Sequence, residues 1–325
     1  MKVIIFSHES DLDGLFSAAI GLIRYPQARL VFLNYGAEGF MKMRWFVESA
    51  TRSSQEQGIV VISDLGLSSD PSLIDTCRET FSIAKKKNWS IIWIDHHPWP
   101  ENAIQGIEPY VELVLDSISS KCAAELIYEK FLSGHRLAEK LASLAHTMDY
   151  FTNDQYLTPT SELIKYYHNF PDCYTRLINL AQKSSRGILW DIEMQTDYNE
   201  YTLLRDEAKE RVLSTMRIRD VHNIKIAFIQ SSPFIQNSLF SDEVFKKTGV
   251  DLAMVHGTDG RVSIRRNNNK ISCNDIAANL PEGGGHIFAA GATFRSNPSD
   301  IESVILELER AVLTSLERAD TAVNL

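Results

Sequence analysis

Cysteine is scarce in this chain. Cys77, Cys122, Cys173 and Cys273 stand far apart and form no Cys-x-x-Cys pair, so neither a disulfide framework nor a cysteine metal site is expected. No apolar run approaches the roughly 20 residues of a membrane-spanning helix. The N-terminus passes from Val3–Phe6 straight to His8 without a small-residue cleavage site, so a secretory leader is not expected and a cytoplasmic location is. Dense positive charge is missing too. Lys85-Lys86-Lys87 is the one basic run, and the formal net charge is -9. Proteins that hold long nucleic acid through its phosphates carry a basic stripe, so any nucleic acid bound here should be short and held locally.

What is present is a 325-residue chain, 44% hydrophobic, enough for a sizeable core and long enough for two domains. Val3–Phe6, Ile59–Ile62 and Ile91–Ile94 are continuous, largely β-branched apolar runs, the pattern of strands covered on both faces of a parallel sheet. Helical spacing separates them over Leu15–Ile23 and Asp70–Lys87, the latter entered through Ser69-Asp70-Pro71. A further helix is expected from Cys122 to Phe131. This alternation indicates an α/β layer fold. Residues 150–190 are less periodic and read as helical pieces with long loops. The charged stretch from Asp197 to Asp220 reads as an exposed connecting helix. Beyond it, Ile224–Gln230, Leu252–His256 and Val262–Arg265 read as strands of a second domain, closed by a long amphipathic helix over Pro298–Arg318.

The three N-terminal strands share one feature: each apolar run ends in acids or histidines. The first leads into His8-Glu9-Ser10-Asp11-Leu12-Asp13-Gly14, the second into Ser63-Asp64-Leu65-Gly66, the third into Asp95-His96-His97. Taken singly, Asp-x-Asp-Gly is an ordinary turn or helix cap, Asp64 another cap, and paired histidines a surface loop. Taken together they point elsewhere. In an open α/β sheet, ligands bind beyond the carboxyl ends of the strands, so parallel neighbours would bring all these side chains to one crevice. That many carboxylates share a site only where cations neutralise them. Mixed imidazole and carboxylate donors suit manganese, iron or zinc better than calcium, and a carboxylate bridging two such ions makes a clamp for phosphoryl chemistry.

The second half adds Gly283-Gly284-Gly285-His286, followed by Ile287-Phe288-Ala289-Ala290-Gly291. Consecutive glycines let backbone N–H groups approach an anion closely. Upstream, alternation over Val262–Arg265 places Ser263 and Arg265 on one strand face, and arginine suits bidentate contact with phosphate.

With His8, Asp11, Asp13, Asp64 and Asp95-His96-His97 followed by Gly283-Gly284-Gly285-His286, the sequence resembles the DHH phosphoesterase superfamily. It is similar in particular to members that carry the DHH-associated C-terminal domain, such as nanoRNases and linear-dinucleotide phosphodiesterases. The resemblance implies an N-terminal parallel-sheet domain (1–195), a helical linker (196–221) and a smaller α/β substrate-binding domain (222–325), with the active site in the cleft between the two domains. It implies two divalent ions, manganese, with His8 and Asp11 on one, Asp13, His96 and Asp149 on the other, and Asp64 bridging. His97 would face the scissile phosphate and Asp95 orient the imidazoles. Ser263, Arg265, Gly283, Gly284, Gly285 and His286 would hold the far end of the substrate. The His-x-x-Asp-x-Asp spacing is one residue off the usual pattern, which leaves Glu9 as an alternative donor to His8. The activity implied is hydrolysis of short RNA or DNA oligonucleotides or dinucleotides to nucleoside monophosphates by two-metal activation of water. Phosphatase action on 3'-phosphoadenosine 5'-phosphate, opening of cyclic dinucleotides, and digestion of longer single strands stand as alternatives. No membrane partner is expected, and a homodimer is compatible with the resemblance.

Overall fold

The computed structural model describes residues 1–52, 57–150, 158–235 and 237–323. The chain divides into two compact units, Met1–Tyr198 and Asn199–Leu325. No helix among the described residues is long and apolar enough to cross a membrane.

The first unit is a five-stranded, all-parallel sheet of β1 (Lys2–His8), β2 (Arg29–Leu33), β3 (Gly58–Ser63), β4 (Trp89–Asp95) and β5 (Glu112–Leu115), in the order β2-β1-β3-β4-β5. The crossovers run through α1 (Leu12–Arg24), α2 (Ala37–Arg52), α3 (Pro71–Lys85) and α4 (Glu101–Ile107). After the sheet come α5 (Ala123–Phe131), α6 (Arg136–Asp149), α7 (Thr158–Tyr167) and α8 (Cys173–Ser185). The strands are apolar along their length because both faces are covered. Ile4, Phe6, Val60, Ile62, Ile91 and Trp93 share one core with α2, α3 and α4 through Phe40, Met43, Cys77, Phe81, Ala103 and Ile107. Ile5 turns to the other face, against α1 at Gly21. Each of these side chains is almost wholly buried, so truncating Ile62 to alanine is expected to cost about 2–5 kcal/mol.

α9 (Ile192–Thr215) contains the division between the units. It ends at Thr215, and the segment from Arg217, expected to continue the connecting helix to Asp220, is instead strand β6 (Arg217–Val221). The reason is a hairpin: β6 pairs antiparallel with β7 (Ile224–Gln230), and His222 and Asn223 between them take left-handed backbone angles. Of the stretch 150–190, the described part holds α7 and α8, and residues 151–157 lie outside the described residues.

The second unit is a six-stranded mixed sheet in the order β10-β11-β9-β8-β7-β6, with β8 (Leu252–His256), β9 (Arg261–Arg266), β10 (Gly284–Gly285) and β11 (Ala289–Thr293). Only β7 and β8 run parallel. One face carries α10 (Asn237–Thr248) and the end of α9, through Phe240, Val244, Ala208 and Val212. The other carries α11 (Cys273–Ala277) and α12 (Ile301–Val323). Val304, Ile305, Leu308, Ala311 and Val312 of α12 recur at helical spacing and form the stripe that meets this face.

Candidate metal centre

β1, β3 and β4 are adjacent and parallel, so their carboxyl ends open on one side of the first unit. His8 closes β1, Asp64 follows β3, and Asp95 closes β4 with His96 and His97 directly after it. Asp11 caps α1, its carboxylate accepting the Gly14 N–H at 2.9 Å. Glycine is required at 14 because a Cβ there would lie 2.2 Å from the His8 carbonyl oxygen; the helix starts hard against the strand end.

Asp64 is the centre of the arrangement. It is 2% exposed and has φ +55, a left-handed backbone uncommon for a residue with a side chain. Its Oδ2 lies 3.5 Å from His8 Nδ1 and its Oδ1 3.6 Å from His96 Nε2, one oxygen toward each histidine. His8 Nδ1 is also 2.7 Å from Asp11 Oδ2. Despite that short separation, neither His8 Nδ1 nor Asp64 Oδ2 makes an aligned hydrogen bond. The atoms are gathered like donors around a common point rather than paired as donor and acceptor.

Asp13 is anchored differently. Its two oxygens accept the N–H groups of Ala123 and Ala124, each at 2.8 Å, so the N-terminus of α5 rests on this carboxylate. Oδ2 still lies 3.7 Å from His96 Nε2. Asp149 approaches the same imidazole from the other nitrogen, 3.7 Å from Nδ1. As the last residue of α6 it is an acid at the negative end of a helix, which the dipole disfavours. His97 donates from Nδ1 to Asp95 Oδ1 at 2.9 Å, and Asp95 Oδ2 accepts the Trp99 indole N–H at 2.6 Å.

Among the described residues, no lysine or arginine forms an ion pair with Asp11, Asp13, Asp64, Asp95 or Asp149; the basic groups beside them are imidazoles. The electrostatics follow from that. Burial, and then the Asp11 carboxylate, pushes Asp64 well above the ordinary carboxylate range; burial with Asp64 and Asp11 does the same to Asp13. Burial also raises Asp149, and works against the lowering that His8 and the Gly14 N–H impose on half-open Asp11. Burial opposes charge on the imidazoles as well, yet the acids prevail: Asp11 and Asp64 carry His8 to about 10, and Asp95 carries His97 to about 9. Among the described residues, no lysine or arginine supplies the positive charge these acids call for; the imidazoles beside them are themselves potential metal ligands.

Two donor groups, His8/Asp11/Asp64 and Asp64/His96/His97, each lie within 4.8 Å, and they share Asp64. Mixed nitrogen and oxygen donors on a buried acid suit divalent cations. Glu9 points away from this cluster. It is 8% exposed, with Asn34 near one oxygen and its backbone carbonyl accepting from His168.

The sequence offered no sign of Tyr35. Its ring lies over His8 at 4.5 Å between centroids and its hydroxyl is 3.3 Å from His97 Nε2. It follows β2, a strand that sequence reasoning did not find. Trp99 was closer to hand, four residues past Asp95 in Asp95-His96-His97-Pro98-Trp99.

The remaining candidates belong to the second unit. Ser263 and Arg265 share the face of β9 opposite buried Val262 and Ile264, in register with Gly291 and Ala289 of β11. Gly284 and Gly285 form β10, and His286 opens the turn into β11.

Residues 2–152 match the sequence profile described as DHH family, N-terminal domain. No curated protein matches the chain. Among solved structures, an exopolyphosphatase-related protein from Bacteroides fragilis is similar with TM-score 0.52 and 16% identity, over 95% of this chain and 92% of that one. An uncharacterized protein from Helicobacter pylori G27 is similar with TM-score 0.45 and 17% identity, over 95% and 99%. Likeness at these identities concerns the fold alone.

Proposed function

On the premise that residues 2–152 are a DHH family N-terminal domain, a domain of phosphoester hydrolases, we propose that this protein is a manganese-dependent phosphodiesterase that cleaves short oligonucleotides or linear dinucleotides to nucleoside monophosphates. One observation carries the reading: a buried aspartate with one oxygen toward His8 and the other toward His96, among acids that, among the described residues, no lysine or arginine neutralises. Two divalent ions, when bound, supply Lewis-acid neutralisation of phosphoryl oxygens and activation of water. His8, Asp11 and Asp64 would hold one ion. Asp64 and His96 would hold the other, with Asp13 and Asp149 on either side of the His96 ring.

The side chains themselves do the rest. Asp95, fixed by Trp99, holds His97 in one orientation through its Nδ1, leaving Nε2 for a non-bridging oxygen of the scissile phosphate. Ser263, Arg265 and the Gly283–His286 turn are the proposed contacts for the remainder of the substrate. The net charge of -9 and the lack of a basic stripe favour short substrates over long strands.

The test compares wild type with Asp64→Ala on RNA of two to five nucleotides with manganese, with linear polyphosphate in parallel. Release of nucleoside monophosphates by wild type, reduced about 10³-fold or more in the variant, is expected for loss of a shared cation ligand. Undiminished hydrolysis by Asp64→Ala would remove the bridging assignment. Release of inorganic phosphate alone would convert the reading to a phosphatase.

A further inference from the structure

Beside its core stripe, α12 carries a second stripe of another character. Glu307, Arg310, Thr314 and Arg318 recur at three- and four-residue spacing and line a groove of about 510 Å³. The segment Ala278–Pro281 after α11, and Arg295 just past β11, complete the lining. All of these residues belong to the second unit, and none of Ser263, Arg265 or Gly283–His286 is among them.

The groove is positive because its acid is already spent. Glu307, the one acid among the described residues that line it, accepts the Arg295 and Ser296 N–H groups at 2.8 Å each and the Ser296 hydroxyl at 2.6 Å. Its oxygens are thereby committed to the backbone that presents Arg295. Asn279 is committed as well, its amide donating to the carbonyls of Asp275 at 2.9 Å and Ala311 at 3.2 Å, which ties the segment after α11 to α12. Elsewhere on the same helix Arg219 is matched by Glu302 and Glu309. Arg295, Arg310 and Arg318 have no such partner among the described residues. In a chain of net charge -9, three unmatched guanidinium groups around one groove call for negative charge from outside the protein.

Size and spacing define that ligand. The volume is that of a small-molecule site, and no basic stripe leads away from it as a nucleic-acid strand would need. Arg310 and Arg318 are eight residues apart on a helix and so start about 12 Å from each other along its axis. A chain of phosphoryl groups spans that distance where a single phosphate engages one end, and guanidinium forks take phosphoryl oxygens in pairs. We propose that this groove binds a short chain of phosphoryl groups, inorganic or carried by a nucleoside, through Arg295, Arg310 and Arg318. The inference does not depend on the reaction proposed for the first unit; it gives the second unit a ligand of its own.

The test is calorimetry on the full-length protein in a buffer containing chelator, which removes anion binding through metal ions. The probes are inorganic tripolyphosphate, adenosine triphosphate and orthophosphate. One tripolyphosphate per chain is expected, with orthophosphate at least about tenfold weaker and affinity falling as salt rises. Arg310→Gln and Arg318→Gln should each weaken tripolyphosphate about tenfold, the scale of one hydrogen bond to a charged group. Both positions are exposed on a helix that accepts glutamine, so their melting temperatures should match wild type. Arg265→Ala should bind as wild type does. Equal affinity for the two triphosphates would identify the phosphate chain alone as the ligand, and tighter adenosine triphosphate binding a nucleotide; either upholds the site. The inference is overturned if wild type binds no tripolyphosphate, if orthophosphate binds equally well, if Arg310→Gln and Arg318→Gln bind tripolyphosphate undiminished, or if Arg265→Ala abolishes the binding instead.

Discussion

Asp64 and Asp251 are both buried, 2% and 6% exposed, and both border a sheet strand, Asp64 just after β3 and Asp251 just before β8. Asp251 is satisfied by its own unit. It accepts from Lys270 Nζ at 2.8 Å, Asn268 Nδ2 at 2.6 Å and the Lys225 N–H at 2.8 Å. Although burial opposes them, these partners hold its carboxyl below the ordinary range. Asp64 has imidazoles at 3.5 and 3.6 Å and further acids around it, and burial sends its carboxyl the other way. The contrast separates two reasons for burying an acid. Where a lysine supplies the positive charge, the acid serves the fold; where only imidazoles and further acids surround it, the acid has the surroundings of a cation ligand.

The comparison breaks most decisively at Asp64. Millimolar manganese is expected to raise the melting temperature of wild type, by about 2.7 kcal/mol of stabilisation at a hundred times the dissociation constant. Asp64→Asn should abolish that rise. Without added metal the same variant should melt no lower than wild type, because it removes one of several crowded like charges. Chelation should reproduce the variant: activity lost, fold kept. A metal-free Asp64→Asn that unfolds early would put Asp64 with Asp251 among the structural acids.

Asp13 tests whether one residue can belong to both kinds. Asp13→Asn keeps one acceptor for the first turn of α5 and loses the other, so a stability loss of about 1–3 kcal/mol is expected together with lost activity. Asp149→Asn, with no helix resting on it, should lose activity at unchanged melting temperature. Identical behaviour of the two variants in thermal melts would show that the α5 anchor carries no stability.

Asp251→Ala removes three hydrogen bonds and should destabilise the protein by about 1–3 kcal/mol, while the manganese-dependent rise in melting temperature persists. The smallest effect is on pH. The folded pKa of Asp251 is depressed, so its contribution is complete above the unfolded value of about 3.9 and is lost as pH falls through the lower folded value. Stability of wild type should therefore fall more steeply than that of Asp251→Asn in denaturation below about pH 4. Parallel curves would mean the Lys270 pairing contributes nothing.

Much of the first unit was legible in the residues themselves. Continuous apolar runs at Val3–Phe6, Ile59–Ile62 and Ile91–Ile94 are what strands covered on both faces require, and each observed strand extends its run by one to two residues at an end. The titratable residues after each run marked the carboxyl edge for the same local reason, since a strand leaving the core must end in side chains that accept solvent or a ligand. Beyond that edge, local pattern gave out. β2 and β5 were not found, and Tyr35 was lost with β2. Nothing in Asp11-Leu12-Asp13-Gly14 distinguishes an aspartate that caps its own helix from one that receives the first turn of a helix 110 residues away. Nor does the sequence tell from which side a carboxylate meets an imidazole, or that Arg295 shares a groove with Arg310 and Arg318. Period and propensity act over a few residues and are written in the chain. The placement of α5 and α6 on the sheet, the sharing of Asp64 between His8 and His96, and the groove that gathers Arg295, Arg310 and Arg318 arise from packing between distant segments, and only the tertiary structure decided them.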